Sequence, residues 1–226
     1  FLMDKKQGQI QRMIGQVLPE GKLLSSLQEI AGGWVVLVEM ELGKRLVGVF
    51  TKNSQVLTFF KAEKEAEYGK YIVKVMELNA NNAAVIRRFV KGVTPQASGT
   101  KGLTIGFCDW LGEGSTKILP LFTSKHMKPI LAEFTANEVV DSGRNFLEVI
   151  DTATWAVFEQ GYKEGYGAAA IGLATEEDIV KTLLYGYSCI GLDYTFKINY
   201  AVDDLTTTAI NFDYEQLPEE FRASLE

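Results

Sequence analysis

Four short apolar runs, at 102–108, 128–134, 168–174 and 188–194, alternate with amphipathic stretches at 115–125, 145–162 and 176–185. A strand that leads through a helix into another strand returns to the same edge of the sheet, so successive strands lie parallel and side by side. The alternation therefore predicts βαβ units on a parallel sheet. Four such units are half of an eight-unit barrel. The expected fold class is α/β: a partial, TIM-barrel-like set of βα units preceded by a small α+β domain.

Before residue 101 the pattern is different. Ile10, Met13, Ile14, Val17 and Leu18 make a helical stripe that Pro19-Glu20-Gly21 ends. A short helix is expected over 23–30, stopping at Gly32-Gly33. Strand-like runs at 34–41, 44–51 and 55–61 predict an antiparallel meander. From 68 to 93, Ile72, Val75, Met76, Val85, Ile86, Phe89 and Val90 recur at helical intervals, interrupted at Asn79-Ala-Asn-Asn82. The turn-forming stretch 92–100 reads as a linker. It divides an expected domain of 1–98 from βα units and a C-terminal tail over 101–226.

Composition narrows the partners. Lys and Arg number 23 against 29 Asp and Glu, a net charge of −6, so no global field draws the chain to nucleic acid or anionic lipid. No apolar stretch reaches the roughly 18 residues of a membrane span. The two cysteines, Cys108 and Cys189, are too few for a disulfide framework and suit a reducing, cytoplasmic setting. The single histidine, His126, rules out any site built by this chain alone from two or three imidazoles.

Specific motifs lie in the second half: Ile105-Gly-Phe-Cys-Asp-Trp-Leu-Gly112, Pro129-Ile-Leu-Ala132, Ser142-Gly-Arg144, Val149-Ile-Asp-Thr-Ala-Thr-Trp-Ala-Val-Phe158, Gly161-Tyr-Lys-Glu-Gly-Tyr-Gly-Ala168 and Leu192-Asp193. Over about residues 104–198 these resemble the tagaturonate/fructuronate epimerases, which interconvert keto-hexuronates epimeric at carbon 4 and use a divalent metal. Residues 1–98 carry no motif of that family. The resemblance implies the first half of the family's barrel, at about half of a member's length.

The departures bear on chemistry. Where the family has an Asp and then an Asp-His pair, this chain has Ala169, Ile171 and Gly172; a family Arg and His are replaced by Trp110 and Ile118, and an acid-His pair by Phe196-Lys197. Epimerisation at carbon 4 of a 2-keto acid needs a polarised oxygen and a positioned base. Ala, Ile and Gly supply neither. The expectation is therefore a chain without catalytic or metal-binding residues of its own, and without a cofactor in this chain.

Ligands of parallel α/β sheets meet the C-terminal ends of the strands. Asp109, Glu133 and Asp193 fall there, as sugar-hydroxyl or hard-cation contacts, or else as caps of helices and loop amides. Lys117, Arg144 and Lys197 are candidates to pair with a uronate carboxylate. Trp155, Phe158, Tyr162 and Tyr166 follow helical spacing and read as packing. Cys108 has no basic neighbour to activate it. His126 reads as a residue at a helix end. The substrate-binding set is thus Asp109, Glu133, Arg144, Asp193 and Lys197.

Two functions fit. One is a non-catalytic relative that binds a sugar acid or serves as an assembly subunit. The other is a truncated or divergent sugar epimerase whose remaining site residues lie outside this chain. An open half-barrel exposes two strand edges, so the expected partner is a second copy, a C-terminal half, or the N-terminal domain folded over the sheet.

Overall fold

Strands β3 (Gly33–Met40) and β4 (Gly43–Thr51) read as nearly continuous apolar runs because both their faces are covered. They are the centre of an antiparallel sheet that also contains β1 (Lys22–Leu23), β2 (Gln28–Ile30), β5 (Lys64–Tyr68) and β6 (Tyr71–Met76). The order is β1-β3-β4-β6-β5, with β2 also on β3. Helix α1 (Leu2–Val17) lays Ile10, Met13, Ile14 and Val17, at i, i+3, i+4 and i+7, on Val36, Val38, Val47 and Val49. On the other face Val35, Leu37, Leu46 and Phe50 enter a larger core. The computed structural model describes residues 2–24, 27–97, 99, 102–122, 127–195, 219 and 222, with side chains from residue 6.

Gly48 sits where a Cβ would lie 2.2 Å from the ring of fully buried Phe50 and 3.2 Å from the Met76 methyl group. Neither neighbour has room to retreat. Gly48→Ala is expected to destabilise the protein by about 1–3 kcal/mol, as overpacking does; urea denaturation measures it, and an unchanged midpoint would show that the Phe50 ring can shift.

The second sheet is wholly parallel. It contains β7 (Leu103–Gly106), β8 (Met127–Thr135), β9 (Gly167–Leu173) and β10 (Cys189–Leu192), in the order β10-β9-β8-β7. Each strand lies beside its predecessor in the chain, so the sheet is a partial barrel wall rather than a doubly wound sheet, where the order reverses. Helices α3 (Ser115–Phe122), α5 (Phe146–Gln160) and α6 (Glu176–Tyr185) make the crossovers, and α4 (Ala136–Ser142) follows β8 directly. Capping sets their limits. Asn145 accepts from the Glu148 amide while Glu148 accepts from the Asn145 amide, and Gly161 ends α5 with φ 58°.

One core spans both sheets, from Ile30 and Phe50 through α2 (Ala80–Phe89) to Phe134, Phe158 and Tyr187. Residues 1–192 accordingly form a single compact unit, and 193–226 a second. The stretch 92–100 separates two sheets without separating two cores. Polar ties cross it as well. Arg87 of α2 donates to Asp151 at 2.6 Å and to the Thr154 hydroxyl at 2.9 Å, Lys44 of β4 pairs with Glu159 at 2.6 Å, and the Tyr166 hydroxyl donates to the Val93 carbonyl at 2.8 Å.

Several local expectations are corrected. The described residues of 23–30 form no helix: β1 pairs Leu23 with Val38 and β2 pairs Gln28 with Val35. A stretch of eight residues nucleates a helix poorly, and the open edge of β3 offers its backbone partners. Residues 55–61 contain a 3₁₀ turn, Gln55–Phe59, not a strand; Val56 and Phe60, four apart, share the buried side. The first half of the supposed helix at 68–93 is the β5–β6 hairpin, turning at Gly69-Lys70. The Asn79 interruption is the start of α2, where the Asn79 side chain accepts from the Asn82 amide. His126, Lys197 and the tail after Asp203, apart from Glu219 and Arg222, lie outside the described residues.

Candidate functional site at the strand ends

Ala132 and Phe134 are fully buried in the core on the helix side, so Glu133 between them projects from the opposite face of the parallel sheet. By the same alternation Ala169, opposite Glu133, and Ile171 share that face. The Glu133 carboxylate lies over Gly106: a Cβ there would be 1.4 Å from Oε2. Glycine at 106 is what lets this carboxylate lie against β7. Among the described residues no hydrogen bond or ion pair engages Glu133, whose charge adds to the rise in the pKa of the Cys108 thiol. The carboxylate is half-buried and chemically free, which is how a ligand-facing group differs from a structural one.

Beside it, the Cys108 thiol donates to Glu138 Oε1 at 3.4 Å. Burial, then Glu138, push that thiol up to about 12, so it is protonated and a poor nucleophile. Glu138 closes a capping box with Thr135: its Oε2 accepts from the Thr135 amide at 2.8 Å. Burial raises the Glu138 carboxyl, but hydrogen bonds from Thr135, Cys108 and Trp110 outweigh it and hold the group below the ordinary range. Sequence reading passed over Glu138, although Thr135-Ala-Asn-Glu138 has capping-box spacing.

Two of the expected ligand contacts serve the frame. The Asp109 carboxylate accepts from the amides of Gly112, Glu113, Gly114 and Ser115 and from the Ser115 hydroxyl, at 2.8–3.1 Å. Burial raises it, yet these donors hold its pKa below the usual aspartate value. Both oxygens are thus committed to shaping the loop that starts α3. Arg144 is committed too: Nη1 donates to the Asp109 carbonyl at 2.7 Å, and Nη2 to the Thr152 hydroxyl at 2.7 Å and the Glu148 carbonyl at 3.2 Å. It clamps the loop after β7 to α5. Lys117 is exposed on α3. Asp193 follows β10 in the second unit, where its carboxylate accepts from the Thr195 hydroxyl at 2.5 Å and from the Thr195 amide at 2.8 Å, which together lower its pKa. Of the five residues, Glu133 is the one with unused acceptors on the sheet's exposed face.

Among the described residues no three His, Cys, Asp or Glu side chains converge to hold an ion. A divalent ion at the exposed face would meet Glu133 with Ala169 and Ile171 beside it, too few oxygens for a hard cation. The described residues do not fit a resident metal.

Comparison with known proteins gives this frame its relatives. The UxaE tagaturonate epimerase family model matches residues 23–226, which takes in the antiparallel sheet where sequence reading found no family motif. The tagaturonate/fructuronate epimerase of Thermotoga maritima is 30% identical over 157 residues, 70% of this chain and 32% of that protein. The native crystal structure of fructuronate-tagaturonate epimerase UxaE from Cohnella laeviribosi is 30% identical, with a TM-score of 0.73 over 95% of this chain and 43% of that one. Its form complexed with one glycerol gives a TM-score of 0.72 at 31% identity, over 97% of this chain and 43% of that one. The chain spans less than half the length of the relatives it matches. The family motifs, the shared fold and a match running through both sheets lead to one assignment: the chain belongs to the tagaturonate epimerase family.

Proposed function

We propose that this chain supplies the N-terminal part and the first four βα units of a keto-hexuronate 4-epimerase, holding a sugar-acid hydroxyl through Glu133 while strands outside the chain bring the metal ligands and the base. The observation that carries the reading is the free Glu133 carboxylate on the uncovered face of a half-barrel whose edge strand β7 exposes Leu103 and Ile105, 68% and 45% accessible. Unpaired edges and an apolar inner face call for completion. The small, untitratable residues at 169, 171 and 172 support placing the proton transfers elsewhere. Glu133 then acts as an acceptor that orients a substrate hydroxyl, Gly106 leaves it room, and protonated Cys108 keeps Glu138 in place behind it.

The test has two arms. The purified chain, incubated with fructuronate and Mn²⁺ or Zn²⁺ in a coupled assay, is expected to show no turnover and to retain no stoichiometric metal; turnover above buffer overturns the division of labour. Fused to the remaining βα units of the Thermotoga maritima epimerase, it is expected to gain activity that Glu133→Gln lowers on the order of 100-fold. A folded fusion that binds the uronate without converting it would instead favour a non-catalytic sugar-acid-binding subunit, the reading that the residues at 169, 171 and 172 suggest.

A further inference from the structure

The loop between β7 and α3 is tied from several sides and yet presents two large apolar side chains to water. The Asp109 carboxylate gathers the amides of residues 112–115, and Arg144 Nη1 binds the Asp109 carbonyl at 2.7 Å. Between these ties Trp110 is 44% and Leu111 85% accessible. A loop so constrained cannot fold them inward, and apolar surface left in water forgoes the gain of burial. They stand at the C-terminal end of the parallel strands, where such sheets meet their ligands.

Trp110 is also aimed. Gly106 lies under the Glu133 carboxylate, and the Phe107 amide carries the ladder one residue further by donating to the Ile130 carbonyl at 2.8 Å. Alternation then brings Cys108 back to the Glu133 side. The Cys108 thiol feels the Glu133 charge, donates to Glu138 and lies within hydrogen-bonding reach of Trp110. An indole has one donor, its N–H, and that of Trp110 goes to the Glu138 carboxylate. The ring is thus fixed by its edge while its faces stay accessible.

A fixed aromatic face beside a free acceptor is complementary to a hydroxylated carbon chain, whose C–H groups lie on the ring while a hydroxyl donates to the acid. We infer that Trp110 is a substrate-binding residue, the platform on which the carbon chain of the sugar acid stacks while Glu133 accepts one of its hydroxyls. The inference rests on the keto-hexuronate reading and deepens it. Glu133 and Glu138 repel a third carboxylate, so the sugar stacks by its hydroxylated carbons and points its acid group away from them.

The chain has three tryptophans, Trp34, Trp110 and Trp155, hence three indole signals in a ¹⁵N–¹H spectrum. The one that vanishes in Trp110→Phe is the reporter. D-Fructuronate is expected to move it saturably, with a Kd on the order of 10 mM, whereas acetate, an acid group without the hydroxylated chain, leaves it in place. A signal unmoved to about 200 mM fructuronate, or a saturable shift with acetate, overturns the inference. In the fusion with the Thermotoga maritima units, Trp110→Ala is expected to raise KM about tenfold and to leave kcat within about threefold, the mark of lost uniform binding. Trp110→Phe keeps the face and loses the N–H, as Ala does, so it is expected to restore KM; a Phe variant as impaired as the Ala variant would make the bond to Glu138 the function of Trp110 and sink the platform. An inactive fusion in which fructuronate still moves the Trp110 signal overturns the epimerase reading and keeps the platform. An active fusion whose KM is indifferent to Trp110→Ala does the reverse.

Discussion

Arg87→Met is expected to destabilise the protein by about 3–5 kcal/mol, lowering the melting temperature by roughly 6–20 °C for a chain of this size. Both partners of the Arg87–Asp151 pair are 11% accessible at the side chain, so neither charge can turn to water when the other is removed. Methionine keeps most of the arginine stem and removes the charge, which isolates the loss of the pair from the loss of packing. The Thr154 hydroxyl, fully buried, loses a donor at the same time, though it still donates to the Ile150 carbonyl at 2.8 Å. Replacing both partners, Arg87→Met with Asp151→Leu, is expected to recover most of the loss, because an apolar pair carries no desolvation cost. Thermal and urea unfolding of the two variants decide the matter. If the single variant unfolds like the parent, the pair does not hold α2 against α5.

Asp109→Ala comes second, at about 3–4 kcal/mol: hydrogen bonds to a carboxylate are among the stronger ones, and their donors are left in a loop that packs inward. Five donors converge on this one group, which is 7% accessible. The loss is pH-dependent, and its sign follows from the lowered pKa. A carboxyl held below its unfolded value adds stability above that value, about 3.9, and loses it as the pH falls through the folded one. The gap between parent and Asp109→Ala is therefore expected to be widest near neutrality and to close in strong acid. Denaturant midpoints at pH 7 and below pH 3 measure it. A gap that widens on acidification would mean that the carboxyl is not stabilised as an anion.

How legible each part was depends on the range of the forces that shape it. The four parallel strands and their three crossovers were readable because apolar runs and helical stripes are set by local periodicity, and α6 (Glu176–Tyr185) falls where the spacing put it. The β5–β6 hairpin was not. Ile72, Val75 and Met76 fit a helical spacing, but Val47 and Val49 of β4 wait opposite Val75 and Val73, and sheet pairing overrides a short helical signal. Among the site residues, Asp109 and Glu133 look alike in sequence, each an acid near a strand end. Only the fold shows that one is consumed by five donors and the other by none. Arg144 suits an anion by residue type, yet the Asp109 carbonyl, 35 residues away in sequence, and the Thr152 hydroxyl, eight residues further on, occupy its nitrogens.

Residue order by itself determined the parallel βα array, the net charge of −6, and the family motifs between Ile105 and Asp193, since each is a matter of composition or fixed spacing. The tertiary structure alone decided that the two sheets share one core, that Arg87 and Asp151, 64 residues apart, meet in it, and that Glu133 is the carboxylate left free. The reason is common to all three: whether a polar group is spent or available depends on which donors reach it through space, and that is settled only when distant segments pack.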